Sequence, residues 1–267
     1  MRPAILGAIS GGGSAALDTD VQSWLTRVAS ASGTVSAGTQ TAVNTFVLAC
    51  KAASIWTLFR RLNLCVGDFN ASFVPLVNTS GGTTDTNVNL VSGDYAENLG
   101  WRTDGSTKYI STGYTPSEAT GGLAVYLRTE QTGTRVPIGC RDAGSTQTFR
   151  IASISTVPSA VWGQGSAVAS GGAAGLGFLH SSRRSATDLV LYRNGASVGS
   201  SNVSTTPATP GVPMTVLAQN AGGPITLYLA ANSYVGGYAV DSGMSPTQAA
   251  NYATIWQAFQ TAMGRAV

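Results

Sequence analysis

The sequence predicts a mainly β protein: a two-sheet antiparallel jelly-roll sandwich with an N-terminal helical segment and a C-terminal helix. Three observations predict it. Apolar and polar residues alternate in about a dozen short runs between roughly residues 85 and 241, the period of half-buried strands. Glycine supplies 33 of the 267 residues and punctuates those runs as turns do. Towards both ends of the chain the apolar period changes to that of a helix.

Residues 1–17 read as an arm. Ile5, Leu6 and Ile9 form a small apolar patch, and Gly11, Gly12, Gly13 and Ser14 follow with the composition of a flexible tract. An anchoring tether and an unordered terminus both fit this stretch.

Residues 18–70 form a helical segment. Asp18 or Asp20 caps a first helix whose Val21, Trp24, Leu25 and Val28 share a face, and Gly33 ends it. A second helix starts near Ser36 or Thr39 and aligns Val43, Phe46, Val47 and Cys50. A further helical turn is expected to carry Ile55, Trp56, Phe59 and Leu62. Cys50 lies on the apolar stripe, which assigns it to the core and not to nucleophilic chemistry.

Residues 71–244 carry the sandwich. Thr86–Val91, Leu123–Leu127, Phe149–Ile154 and Ile225–Leu229 alternate, so each is expected to bury one face. Asn194-Gly195 after Asp188–Tyr192 is a strong hairpin signal, because both turn positions take positive φ. Asp104-Gly105 looks similar, and the Gly163–Gly177 stretch reads as a glycine-rich loop. Residues 245–267 return to helix. Ser245 caps it, Pro246 takes its first position, and Tyr252, Ile255, Trp256, Phe259 and Met263 form a stripe for packing on the sandwich.

Composition narrows the function. Charged residues make up 10% of the chain, against about 25% in a typical soluble protein. Hydrophobics at 43% still allow a large core, so disorder is excluded. The net charge of +3 is spread thinly, with adjacent basic pairs only at Arg60-Arg61 and Arg183-Arg184. Nucleic-acid binding normally needs a concentrated basic stripe, and none is present. No apolar run approaches the roughly 20 residues of a spanning helix. The opening MRPAILGAISGGG is too short in apolar residues for a secretory signal. Synthesis in the cytoplasm with reduced thiols is expected, and the sequons at Asn70, Asn78 and Asn202 then carry no meaning.

Catalytic material is scarce. A glycosidase needs two carboxylates about 5–10 Å apart, yet the only glutamates are the isolated Glu97, Glu118 and Glu130. A catalytic pair would have to be assembled by folding, as Asp94 with Glu97 would be. The single histidine, His180, has no Gly-x-Ser-x-Gly nucleophile elbow to serve. Cys50, Cys65 and Cys140 contain no CxxC pair, which argues against structural zinc. No phosphate-cradling glycine motif occurs. Neither a metal nor a cofactor is expected. Asp85-x-Asn87-x-Asn89 resembles the start of a calcium loop but lacks its later Gly and Glu; a solvated sheet face is expected there.

The stretch Thr86–Tyr95, followed by Gly100 and then Asp104–Ile110, resembles a segment common in tailed-phage and prophage structural proteins with a concanavalin A-like (laminin-G-like) jelly roll. Phe46 through Ile55-Trp56, Gly177-Phe178 through Ser181-Ser182-Arg183, the Asn194-Gly195 hairpin and the closing aromatic stripe agree with it. The resemblance covers residues 18–267. It implies a non-enzymatic virion component, as a decoration, fibre or tail protein. Its implied partners are other virion proteins and further copies of itself. The acidic catalytic motif of the glucanase relatives is missing. The alternative is a carbohydrate-binding module for host-surface glycan, with Trp162, Tyr114, His180 and Arg183 as candidate contacts in loop-like sequence. A glycan-degrading enzyme is a third reading.

Overall fold

The computed structural model describes residues 16–80, 82–117, 119–154, 157–163, 167–169, 176–204 and 209–267. The arm patch of Ile5, Leu6 and Ile9 and most of the Gly163–Gly177 stretch lie outside the described residues.

Helices α1 (Thr19–Ser30) and α2 (Ala37–Ala52) open the fold. Strands follow as β1 (Phe59–Asn63), β2 (Val77–Asn78), β3 (Thr86–Val88), β4 (Tyr95–Ala96), β5 (Gly100–Arg102) and β6 (Tyr109–Ser111). Next come β7 (Gly121–Leu127), β8 (Arg135–Arg141), β9 (Thr148–Ile154), β10 (Val157–Gly163), β11 (Ala167–Ala169) and β12 (Gly177–Ser185). The set closes with β13 (Asp188–Arg193), β14 (Ala196–Ser201), β15 (Thr215–Val216), β16 (Gln219–Ala221), β17 (Ile225–Thr226) and β18 (Tyr234–Asp241). Helix α3 (Pro246–Ala262) ends the chain.

These strands make the expected sandwich. The first sheet runs β14-β13-β12-β7-β18-β1-β2, with β5 on β18 and β4 on β5. The second runs β11-β10-β9-β8-β15-β6-β3, with β16 on β8 and β17 on β16. Pairing is antiparallel except between β16 and β8.

Helices cover the outer face of the first sheet, so the molecule has three layers and two cores. Leu123, Val125 and Leu127 of β7 pack between the sheets, with Trp101, Ile138 and Val240. Ala124 and Tyr126 point the other way, into a core with Phe46, Phe178, Tyr252 and Trp256. All seven residues of β7 are buried. The alternating pattern there predicted one buried face; the helical layer buries the second.

Local chemistry explains the helix ends. The Asp18 carboxylate accepts the Asp20 N–H, Ser36 accepts from Thr39, and Ser245 and Gln248 form a reciprocal capping box at α3. Pro246 sits at the start of α3, where its missing N–H is harmless. Asn194 and Gly195 take φ of 48° and 85° and turn β13 into β14.

One helical expectation fails. Ser54 leaves α2 with φ of 55°, a short 3₁₀ turn covers Trp56–Leu58, and Phe59 opens β1. The residues read as a third helical turn therefore enter the first sheet. Strand β1 is held between β18 and β2. A bulge between Phe59 and Arg61 interrupts the alternation, so that Phe59 and Leu62 both enter the core under the helices and the period of two is hidden.

Candidate functional site

The four side chains selected as glycan contacts do not form a surface. Trp162 lies on β10, His180 and Arg183 lie on β12, and all four, Tyr114 included, are buried. Trp162 packs edge-on to Phe149 with ring centroids 5.0 Å apart. It also fills the space above Gly121, where a Cβ would stand 2.1 Å from its ring. Arg183 donates to the backbone carbonyls of Ser185 and Ala186. As placed here, these residues offer a saccharide no exposed ring or charge. Trp162, His180 and Arg183 lie on strands and Tyr114 in a buried connection; β12 itself sends Leu179 into one core and Phe178 into the other.

His180 is a packed core residue. Its Nε2 lies 3.1 Å from Oδ2 of Asp241, and neither side chain is exposed. The ring is stacked beside Phe178 and Tyr192 and meets Tyr252 edge-on. Asp241 also accepts the Gly243 N–H at 2.8 Å. The pair joins β12 to β18 beneath α3, and neither side chain reaches the surface.

A second buried cluster links the two sheets. Arg61 on β1 donates from Nε and a terminal nitrogen to Oδ1 of Asp85 at 2.9 and 2.7 Å. Tyr238 donates to the same oxygen at 2.7 Å, and Asn63 donates to Oδ2 at 2.7 Å. Burial pulls the Arg61 guanidinium down, but Tyr238 and Asp85 outweigh it and hold it above its ordinary value. Asp85 is thus not part of a solvated face. Asn87 and Asn89 are exposed, but Asn89 takes φ of 64° after β3 has ended, so the three do not share one strand face.

The resemblance-bearing segment is itself a set of backbone ties. Asn87 closes on Leu90 through both amide atoms at 2.9 Å. Asp94 accepts the Val91 N–H and pairs with Lys108 at 2.7 Å and Arg102 at 3.3 Å. Asp104 accepts the N–H groups of Ser106, Thr107 and Lys108. Gly100 has φ of 99°, and a Cβ there would stand 2.1 Å from the Val235 carbonyl oxygen. Each conspicuous residue has a structural task.

Asp94 and Glu97 serve separate structural contacts and not a shared site. Glu97 accepts from the Thr39 hydroxyl at 2.9 Å and the Gly67 N–H at 2.7 Å, whereas Asp94 serves Val91, Arg102 and Lys108. Glu130 is exposed and Glu118 is outside the described residues. Burial raises the thiols of Cys50, Cys65 and Cys140 above their ordinary value, and all three are free. Among the described residues no group of three metal-ligating side chains occurs. No helix among them is long and apolar enough to cross a membrane.

Two surface features stand out among the described residues. A cavity of about 400 Å³ lies between α2 and α3, lined by Thr41, Thr45, Phe46, Ala49, Ile255 and Ala258 among others. It holds no ionisable side chain. The other is a row of Arg102, Tyr234 and Arg128 across the first sheet, which sequence reasoning missed. Its members are far apart in sequence, and only strand pairing aligns them.

No family model and no curated protein matches the chain. Solved structures align with parts of the chain. The botulinum neurotoxin type G receptor-binding domain is 9% identical, with a TM-score of 0.49 over 74% of this chain and 51% of that one. A Trypanosoma rangeli sialidase in complex with 2,3-difluorosialic acid is 11% identical, with a TM-score of 0.42 over 73% of this chain and 31% of that one. The NanB sialidase of Streptococcus pneumoniae is 15% identical, with a TM-score of 0.35 over 48% of this chain and 23% of that one. The chain thus spans about half or less of the length of each. At these scores none carries a functional argument.

Proposed function

We propose that this chain is a non-catalytic contact module, a β-sandwich acting as a structural component of a bacteriophage virion through binding to other virion proteins. One observation carries the non-catalytic part. The residues best suited to acid–base or nucleophilic chemistry, His180 with Asp241, Arg61 with Asp85, and the three cysteines, are buried in the interior, where substrate does not reach them. An active site needs such groups converging on an accessible pocket, and the apolar cavity between α2 and α3 has none. The virion setting rests on the resemblance of Thr86–Ile110 to phage structural proteins.

Two experiments test the parts separately. Purified protein incubated with bacterial capsule and cell-wall polysaccharides is expected to release no reducing ends above a blank; turnover abolished by a single substitution would overturn the non-catalytic reading. Purified phage particles are expected to contain the chain when probed with an antibody against the sandwich. Its absence from particles that carry the coding sequence would remove the virion assignment.

A second reading, recognition of a host-surface glycan, is favoured by one feature only: the arginine and tyrosine row on the first sheet.

A further inference from the structure

Tyr234 on β18 is the register partner of Arg102 on β5. On its other side, the Arg128 N–H donates to the Tyr234 carbonyl at 3.1 Å. The chain neighbours Trp101, Val235 and Leu127 belong to the core between the sheets. Side chains alternate along strands, so Arg102, Tyr234 and Arg128 turn to the opposite face. All three are half-buried. Neighbouring strands lie about 4.8 Å apart, so the row spans about 10 Å, the length of roughly two sugar rings.

The charges of the row are unevenly satisfied. Arg102 donates to the Gly93 carbonyl at 3.0 Å and to Asp94 at 3.3 Å. Hydrogen bonds first to Asp94 and then to Tyr234 raise its guanidinium above the ordinary value. Lys108 holds the same carboxylate at 2.7 Å. Arg102 and Lys108 thus share one carboxylate, which does not pair with Arg128. Among the described residues the Arg128 side chain donates a single hydrogen bond, to the Asn98 carbonyl at 2.7 Å. Its Nε is buried without a partner, as it is in several other arginines of the chain.

We propose that this row is a binding site for an acidic saccharide. The ring of Tyr234 supplies an apolar platform for one sugar face. The Arg128 guanidinium, assisted by Arg102, supplies the planar fork that carboxylates fill bidentately. A neutral sugar leaves the charge unused, and a free anion leaves the ring unused, so the combination selects a carboxylate-bearing sugar. The inference rests on the reading of the chain as a non-catalytic contact module, and extends it to a ligand class.

The test is titration calorimetry of the full chain. The probe is a panel of acidic oligosaccharides that includes oligogalacturonate, with neutral galacto-oligosaccharide and inorganic phosphate as controls. At least one acidic member is expected to bind. Arg128→Ala and Tyr234→Ala are each expected to weaken it about 10-fold, the loss of one charge-assisted hydrogen bond or one stacked ring. Arg128→Lys keeps the charge and removes the fork, and is expected to restore binding only in part. Thermal unfolding of each variant confirms that it is folded. No binding across the acidic panel overturns the site and leaves the non-catalytic reading standing. Equal competition by phosphate, with Tyr234→Ala silent, overturns it in favour of a plain anion patch. Shortening of the oligosaccharide during titration overturns the non-catalytic reading while the site stands.

Discussion

Arg61 of the first sheet and Asp85, the residue before β3 of the second, meet side chain to side chain in the interior, 2.7 Å apart with neither exposed to solvent. The pair clamps β1 of the first sheet to the entry of β3 in the second. Truncating one partner leaves the other charge buried and uncompensated. Asp85→Ala is therefore expected to cost about 3–5 kcal/mol, read from the urea midpoint. The double change Arg61→Met with Asp85→Leu is expected to retain more stability than Asp85→Ala alone. An unchanged midpoint for Asp85→Ala would contradict the clamp.

Trp162→Ala separates the ligand reading of this residue from the packing one. The indole is about 1% exposed and fills the space over Gly121. Its removal is expected to cost about 3–5 kcal/mol through the cavity left behind. A stable variant with altered glycan binding would restore Trp162 as a contact.

Gly100→Ala tests whether the resemblance-bearing segment is a structural tie. The left-handed φ and the approach of the Val235 carbonyl leave no room for a Cβ. A loss of more than about 2 kcal/mol is expected, visible as a lowered thermal midpoint. Wild-type stability would place the segment's importance elsewhere.

The thiols give a test without mutation. Cys50, Cys65 and Cys140 are each fully buried and free. A thiol reagent is expected to label none in native protein and all of them in guanidinium chloride, because the reactive thiolate is disfavoured in apolar surroundings. Fast labelling of one native cysteine would show that its core opens readily.

Acid is expected to weaken the fold. The Lys51 hydrogen bond holds Asp18 below the ordinary carboxylate value. Burial raises Asp94, but Lys108, the Val91 N–H and Arg102 outweigh it and leave it lowered. Asp104 is likewise lowered, as the Thr107 hydroxyl and three backbone amides outweigh burial. A lowered folded value contributes stability that is present above the unfolded value of about 3.9 and lost as pH falls through the folded value. Urea midpoints are thus expected to hold level from neutral pH to about 5 and to fall below about 4. Asp104→Asn is expected to flatten that fall, and an unchanged acid limb would remove Asp104 from the account.

The sequence by itself determined the local pieces. Ser36, Ser245 with Pro246, and Asn194-Gly195 are read correctly because caps and tight turns depend on residues within a few positions of one another. The β class was legible in the alternation for the same reason. Tertiary structure decided what lies on either side of each strand. Periodicity reports that a residue is apolar, not whether a helix covers the second face, so β7 looked half-exposed and Trp162 and Arg183 looked like accessible contacts. Asp85 looked solvated because Arg61 and Tyr238, its partners, stand 24 and 153 positions away. The same distance hid the row of Arg102, Tyr234 and Arg128: strand register alone brings those side chains together, and register is fixed by the whole sheet and not by any one strand.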